Sequence, residues 1–508
     1  MITTFAATPI TVKDEAVLFA FDDHSIPLHD NLYLTFKQVQ KHPANPVLRA
    51  GPPGSPDDRG CIIYGSVLLI DGKLRMWYLA WPQAETSPEE CGRPMAYAES
   101  TDGVHWERPT LGLVEWQGNR DNNLCRIEPD IWPVDDYLCV MHDPDDPDRA
   151  RRYKVGYIFR ALASELRPVG NDPRRLAPVM ATAVSADGLR WQLVRPGEMT
   201  IAEKFEVSGI YKFGGMYYAA GQQLNPWAWL PDGRKCGRVM TVYQSADFEH
   251  WSSARSLAFV RPGYVPKTPS HGEEVHMGAG IWNRGNVLVG LYGLWHGEAT
   301  ASTWPQDRLA GVRLDLGLVV SNDGLHFREP APDFAVVPRG DYGEWDCIGM
   351  LQGHAFANLG ERTCVWYSQW DTTRGGHLEE IGLGILRRDG FAHFSRYHAF
   401  AEGHFVSCSL QADGPVRLSI NADDVSPRSP LLVELLDEQN RPIAGYTAAD
   451  CRPVTESGLR VPVRWPEGER ITGPAGRFKV RVILAAGGEE QQKVYAVYLT
   501  QGEQDVRD

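Results

Sequence analysis

One short pattern, repeated along the chain, leaves few folds open. It first reads Ser100-Thr101-Asp102-Gly103-Val104-His105-Trp106, then Ser185-Ala186-Asp187-Gly188-Leu189-Arg190-Trp191. It returns as Ser245-Ala246-Asp247-Phe248-Glu249-His250-Trp251 and Ser321-Asn322-Asp323-Gly324-Leu325-His326-Phe327, and fades at Arg388-Asp389-Gly390-Phe391-Ala392-His393-Phe394. A β-rich run precedes each Asp, and an aromatic residue follows it closely. Asp-Gly between apolar runs is a strong hairpin signal, because the turn needs φ > 0 and glycine adopts that without strain. Five copies, roughly 60 to 85 residues apart, mark an internal structural repeat.

Around each copy the sequence alternates in strand-like segments, with β-branched and aromatic residues enriched and little 3.6-residue periodicity. The first unit reads as strands Ile62–Ile70, Lys73–Trp81, Pro94–Ser100 and Trp106–Val114, with Asp71-Gly72 as its first turn. The fifth reads as Asp346–Leu359, Thr363–Trp370, Glu380–Arg387 and Phe394–Phe400. Four antiparallel strands repeated five times predict an all-β fold, a five-bladed β-propeller over residues 1–400. Residues 1–55 read as lead-in strands of that domain. Residues 401–508 alternate without the pattern and predict an appended β-sandwich.

The net charge of −14 argues against nucleic acid or an anionic membrane as partner. Residues 1–21 do not read as a secretory leader, and no apolar run reaches the length expected of a membrane span. Nine dispersed Cys without CxxC or CxxxH spacing read as reduced thiols in a cytoplasm, neither a disulfide framework nor a zinc site. Sixteen Trp and nineteen Tyr exceed what a core needs and suit stacking on sugar rings. A carbohydrate is therefore the expected partner, and the sequence leaves a homo-oligomer open. No cofactor is required. Calcium, which takes all-oxygen ligands, would suit an acidic channel, but no spacing motif marks a site.

Loop lengths separate two faces. First-to-second-strand turns and the repeated pattern are short and share one plain face. Connections at Pro82–Arg93, Ala161–Pro178, Gln223–Gly237, His296–Arg313 and Asp371–Glu379 are long and emerge opposite, where a rigid scaffold ordinarily presents function. Acids stand where first strands begin on that face: Asp58, Asp136 (with Asp135), Glu206, Glu274 and Asp346, with His276 beside Glu274. Each alone would be an ordinary solvated loop residue. Recurring at equivalent points, they suit a channel in which one carboxyl is held protonated and another ionised, as glycosidic cleavage requires. Arg59, Trp81, Trp227, Trp229, Trp370, Asp371, Arg374 and His377 are the candidate substrate contacts on the surrounding loops. The Asp of each repeated pattern is expected only to hydrogen-bond its own turn.

The run Leu69-Ile70-Asp71-Gly72-Lys73-Leu74-Arg75-Met76-Trp77-Tyr78, followed by Tyr97-Ala98-Glu99-Ser100-Thr101-Asp102-Gly103-Val104-His105-Trp106, resembles the five-bladed propeller glycoside hydrolases of families 32 and 43. Asp121-Asn122-Asn123-Leu124 is similar too, and the trailing sandwich matches the invertase-like domain order. The resemblance implies a nucleophile or base at Asp58, a transition-state-stabilising Asp136 or Asp135, and an acid Glu206. The chain lacks the invertase signature motifs, so it reads as a divergent member in which Glu274 and Asp346 could have taken over catalysis. The expected activity is cleavage of a glycosidic bond in a small oligosaccharide or glycoside by a carboxyl pair from Asp58, Asp136, Glu206, Glu274 and Asp346, with His276 assisting. Alternatives are a phosphorylase holding phosphate on Arg59, Arg374 and His377, a lyase using His276 with a tyrosine, and a sugar-binding propeller without catalysis.

Overall fold

The computed structural model describes residues 8–82, 93–128, 137–162, 176–195, 200–201, 203–224, 237–261, 275–297, 310–371, 379–472, 476–487 and 491–502. The fold is all-β. Among the described residues one short 3-10 turn, Arg149–Arg151, is the only helical element, and no helix is long and apolar enough to cross a membrane. The strands form antiparallel meanders in sequence order. One sheet runs Glu206–Phe213, Met216–Leu224, Arg238–Ser245, Ser256–Phe259, and the next Val275–Asn283, Leu288–His296, Arg313–Ser321, Ala335–Val337. Their tight turns fit the sequence: Asp71 and Gly72 have φ of 52° and 73°, Gly214 and Gly215 of 57° and 86°. Positive φ at both central residues matches the right-handed strand twist.

The first strands of successive meanders lie side by side. Gly60–Ile70 touches Leu138–His142, which touches Glu206–Phe213, then Val275–Asn283, then Met350–Leu359, which returns to Gly60–Ile70 through the parallel pairs His354↔Ser66 and Ala355↔Val67. Side chains reach across these junctions. Val140 N donates to Ser66 Oγ (2.8 Å), Ile210 N to Cys139 Sγ (3.0 Å) and Ile281 N to His354 Nδ1 (3.3 Å). A Cβ at Gly280 would stand 2.0 Å from Gly353 O, so only glycine permits this approach.

The repeated pattern does more than turn the chain. In four copies Asp Oδ1 accepts from the backbone N–H groups two and three residues on, while the preceding serine hydroxyl oxygen accepts from the N–H of the residue after the Asp. Each turn also docks on the preceding meander. Gly188 O accepts from Trp77 Nε1 (2.6 Å), Asp247 O from Arg151 Nη2 (3.2 Å) and Gly324 O from the Tyr211 hydroxyl (2.7 Å). Gly103 O, in the first copy, accepts from Trp366 Nε1 of the last meander (2.9 Å).

Three expectations need correction. The fifth Asp, Asp389, is no turn cap. It is fully buried, with both oxygens on Arg284, Tyr498 OH donating at 2.8 Å and Asn358 Nδ2 at 3.1 Å. The fifth meander's fourth strand is not Phe394–Phe400 but Gln40–Lys41, which pairs with Ile381–Arg387, while Ala392–Arg396 joins Leu32–Phe36 and Lys493–Gln501. In the first meander Trp106–Val114 contributes only the bridge Glu99↔Glu107. The strands at the chain's start pair with those near its end: Glu15–Phe19 lies against Lys493–Gln501, Ile10–Val12 against Leu410–Ala412, Leu28–Asp30 against Gly403–Val406. Burial explains this, since Ala16, Val17, Leu18 and Phe19 are all fully buried and need apolar cover on both faces.

Candidate active site

Four of the five first strands are not regular; Leu138–His142 pairs without a break. In the four, the pairing with the second strand slips between Ile62 and Ser66, Val207 and Gly209, His276 and Ala279, and Gln352 and Phe356. Extra residues in a strand swing side chains off the pleat and are common beside binding sites. Here they re-aim residues at the end from which the long connections leave. Among the described residues, three second strands finish on a tryptophan at or beside that end: Trp81, Trp295 and Trp370.

His276 precedes the third slip. Its ring lies 5.5 Å from Trp295 and 5.7 Å from Trp370, which are 6.3 Å from each other. Glu206 opens the preceding meander's first strand, and its Oε2 accepts from Gln222 Nε2. Gln222 Oε1 accepts in turn from Met277 N at 2.8 Å, the residue after His276. One buried amide thus links Glu206 to the backbone at His276. Arg59 lies over the Trp81 ring with its guanidinium 4.6 Å from the centroid, and Arg93 over the same ring at 4.4 Å.

Asp58 is half-buried, and its Oδ2 accepts from Gly54 N at 2.9 Å. The adjacent Asp57 goes inward. It takes Tyr78 OH and Arg108 Nε at 2.8 Å each, while Asn123 Nδ2 donates to the same tyrosine oxygen at 2.8 Å. Asp346 repeats that arrangement in the fifth meander: Lys41 Nζ at 2.7 Å, Tyr367 OH at 3.1 Å, and Asn45 Nδ2 on the tyrosine oxygen at 3.3 Å. Asp346 therefore corresponds by position to Asp57, and its carboxylate is tied to a cation. Asp371, next to Trp370 in sequence, is buried. Asp136, Glu274, Trp227, Trp229, Arg374 and His377 lie outside the described residues.

A second carboxylate on the His276 meander was not expected from sequence. Asp315 is buried, with His296 Nε2 at 2.8 Å and Arg339 Nε at 2.9 Å. Burial pushes its pKa up, but those partners and the Arg339 N–H outweigh it and hold the carboxyl below its usual range. Trp295, Gln222, Gln352 and Arg93 were missed as well. Only Trp295 carried a signal, since it aligns with Trp81 and Trp370 when the second strands are superposed on their Tyr292, Tyr78 and Tyr367. Among the described residues no group of three or more His, Cys, Asp or Glu side chains is placed to hold a metal ion.

No family model and no curated protein matches this sequence. Solved structures do. A glycosyl hydrolase from Bacteroides ovatus is 14% identical, with 70% of this chain and 94% of that one covered and a TM-score of 0.44. A structure from the GH130 family of mannoside phosphorylases, which contains glycoside hydrolases targeting β-1,2-mannosidic linkages in Candida mannan, is also 14% identical, with 70% and 94% covered and a TM-score of 0.42. A family 43 arabinoxylan arabinofuranohydrolase from Bacillus subtilis is 11% identical over 92% of this chain and 99% of its own, with a TM-score of 0.38.

Proposed function

We propose that the chain is a glycosidase-type enzyme that cleaves a glycosidic bond in a small oligosaccharide or glycoside. In this reading the repeats form a five-bladed β-propeller, and residues 401–508, with strands lent by the chain's start, form a β-sandwich. The cyclic contacts of the five first strands support the propeller. The observation that carries the function is the cluster of His276 with Trp295 and Trp370, coupled through Gln222 to Glu206. A sugar ring needs an apolar platform and a nearby proton-transfer group; the partly exposed Trp370 is suited to the first and Glu206 to the second. Glu206 is assigned proton transfer, paired with a carboxyl from Asp58, Asp136 or Glu274. His276 assists, and Asp346, bound to Lys41, orients its neighbourhood. A carboxyl separation of about 5 Å would retain anomeric configuration and one above about 6.5 Å would invert it.

A second reading, a phosphorylase, is favoured by Arg59 and Arg93 over Trp81, two guanidinium groups able to hold a phosphate oxyanion. One screen separates the readings: aryl glycosides and short oligosaccharides, each with and without inorganic phosphate. Hydrolysis without phosphate supports the first. Sugar phosphate formed only with phosphate supports the second. Glycan binding without any product would make the chain a sugar-binding protein and overturn both.

A further inference from the structure

We propose that Gln222 and Gln352 are positioning residues that clamp a left-handed bulge at Met277-Gly278 from two sides and thereby set the place of His276. Its catalytic consequence rests on the glycosidase reading; its structural consequence does not.

In the pairing of Val275–Asn283 with Leu288–His296, His276 faces Gly293 and the next pair is Ala279 with Tyr292. Met277 and Gly278 are thus surplus to the ladder, with φ of 56° and 70°. A side chain at position 278 is barred twice, by that φ and by Ser208 Oγ, 2.4 Å from where its Cβ would stand. Met277 has a side chain and occupies the left-handed region regardless, a strain that persists only where the surroundings over-determine it. The bulge also releases backbone groups from the ladder, and buried groups of that kind need partners. The two glutamines provide them. Gln222 Oε1 accepts from Met277 N at 2.8 Å, while Gln352 Nε2 donates to His276 O at 2.8 Å and Gly278 O at 3.0 Å.

Both glutamines are buried, at 3% and 1% exposure, and come from different sheets: Gln222 from the second strand of the preceding meander, Gln352 from the first strand of the following one. His276 is therefore located by its neighbours on both sides. Gln352 Oε1 is buried with no hydrogen-bond partner. A half-satisfied buried amide is costly where an apolar side chain would fit, so its two donated bonds account for its presence. Gln222 has a second attachment, to Glu206. A displacement of the bulge would then move His276 and Glu206 relative to one another.

The test is Gln352→Met and Gln222→Met, which keep side-chain volume and remove the polar contacts from either side; one folded variant suffices. The ring protons of His276, assigned by their loss in His276→Gln, are read by NMR. They stand in the ring-current fields of Trp295 and Trp370. The clamp predicts that each variant moves the His276 resonance toward its free-histidine position, with the exposed turn histidines His105 and His250 unmoved. On a substrate found by the screen, kcat falls by about 100-fold with KM little changed, as misplacement by an ångström can produce. An unchanged His276 resonance in the folded variants overturns the clamp. A shifted resonance in a protein that turns over no glycoside leaves the clamp standing and removes the glycosidase reading alone.

Discussion

Replacing Asp389 by asparagine takes the charge out of a buried pair on which strands from both ends of the chain depend. Asp389 holds Arg284, from the turn after Val275–Asn283, and Tyr498, from the strand Lys493–Gln501. Arg284 stands 3.9 Å from Glu15, which Arg460 binds at 2.6 Å. Breaking one side of a buried pair costs about 3–5 kcal/mol, because the other charge is left in low dielectric. Glu15 keeps part of that cost from Arg284, so the lower end, about 3 kcal/mol, is expected. Over 508 residues, an unfolding entropy of about 2.1 cal/mol/K per residue converts this to a drop in Tm of roughly 3 °C if the chain melts as one unit. If residues 401–508 melt separately, the loss is concentrated into a drop several times larger in that transition. Scanning calorimetry distinguishes the two. Burial raises the Asp389 pKa, yet Arg284 and the hydrogen bonds outweigh it and leave it lowered. Its contribution is therefore full above the unfolded carboxylate value of about 3.9 and is lost as pH falls through the lower folded value. That acid limb should be shallower in the asparagine variant. A Tm within about 1 °C of wild type would refute the account of Asp389 as the pivot.

Other consequences follow from the same packing. Trp77→Phe removes the bond to Gly188 O and leaves a cavity in a fully buried site, costing about 3 kcal/mol in urea unfolding. Gly72→Ala and Gly103→Ala share a positive φ, but a new Cβ meets nothing within 4 Å at 72 and the Trp366 ring at 2.6 Å at 103. The first should cost about 1 kcal/mol and the second at least about 2, and equal values would show that the ring yields. Burial pushes His354 down to about 4. Because the folded state binds its proton more weakly, stability should fall as pH drops from about 6.5 toward 4, by about 3 kcal/mol in all, and His354→Gln should lose that slope.

Local signals were legible in the sequence and long-range ones were not. Lys73–Trp81 spans the expected residues, and Asp71-Gly72 turns as its chemistry requires, because both are settled within ten residues. The departure at Asp389 carried a sign: the four capping copies have Ser two residues before the Asp, and the fifth has Arg387. Gln40–Lys41, which completes the last meander, is two residues long and pairs with Gly384 and Ile385, far along the chain. No periodicity can be read from two residues. The candidate site was legible by residue type and not by partnership. Asp57 and Asp58 look alike in sequence, and only the placement of Tyr78 and Arg108 decides which turns inward. Gln222 and Gln352 read as polar residues in strands, because the bulge that needs them is made by Met277 and Gly278 on another sheet.

The proposed function joins Glu206 and His276, linked through Gln222, in one catalytic constellation. The most direct measurement is kcat of Glu206→Gln beside wild type, at saturating concentration of a glycoside that the wild type turns over. A fall of about 1,000-fold or more is expected, in a protein that still binds the glycoside and melts within a few degrees of wild type. A kcat within about two-fold of wild type would contradict it, and the chemistry would then lie with other carboxyls.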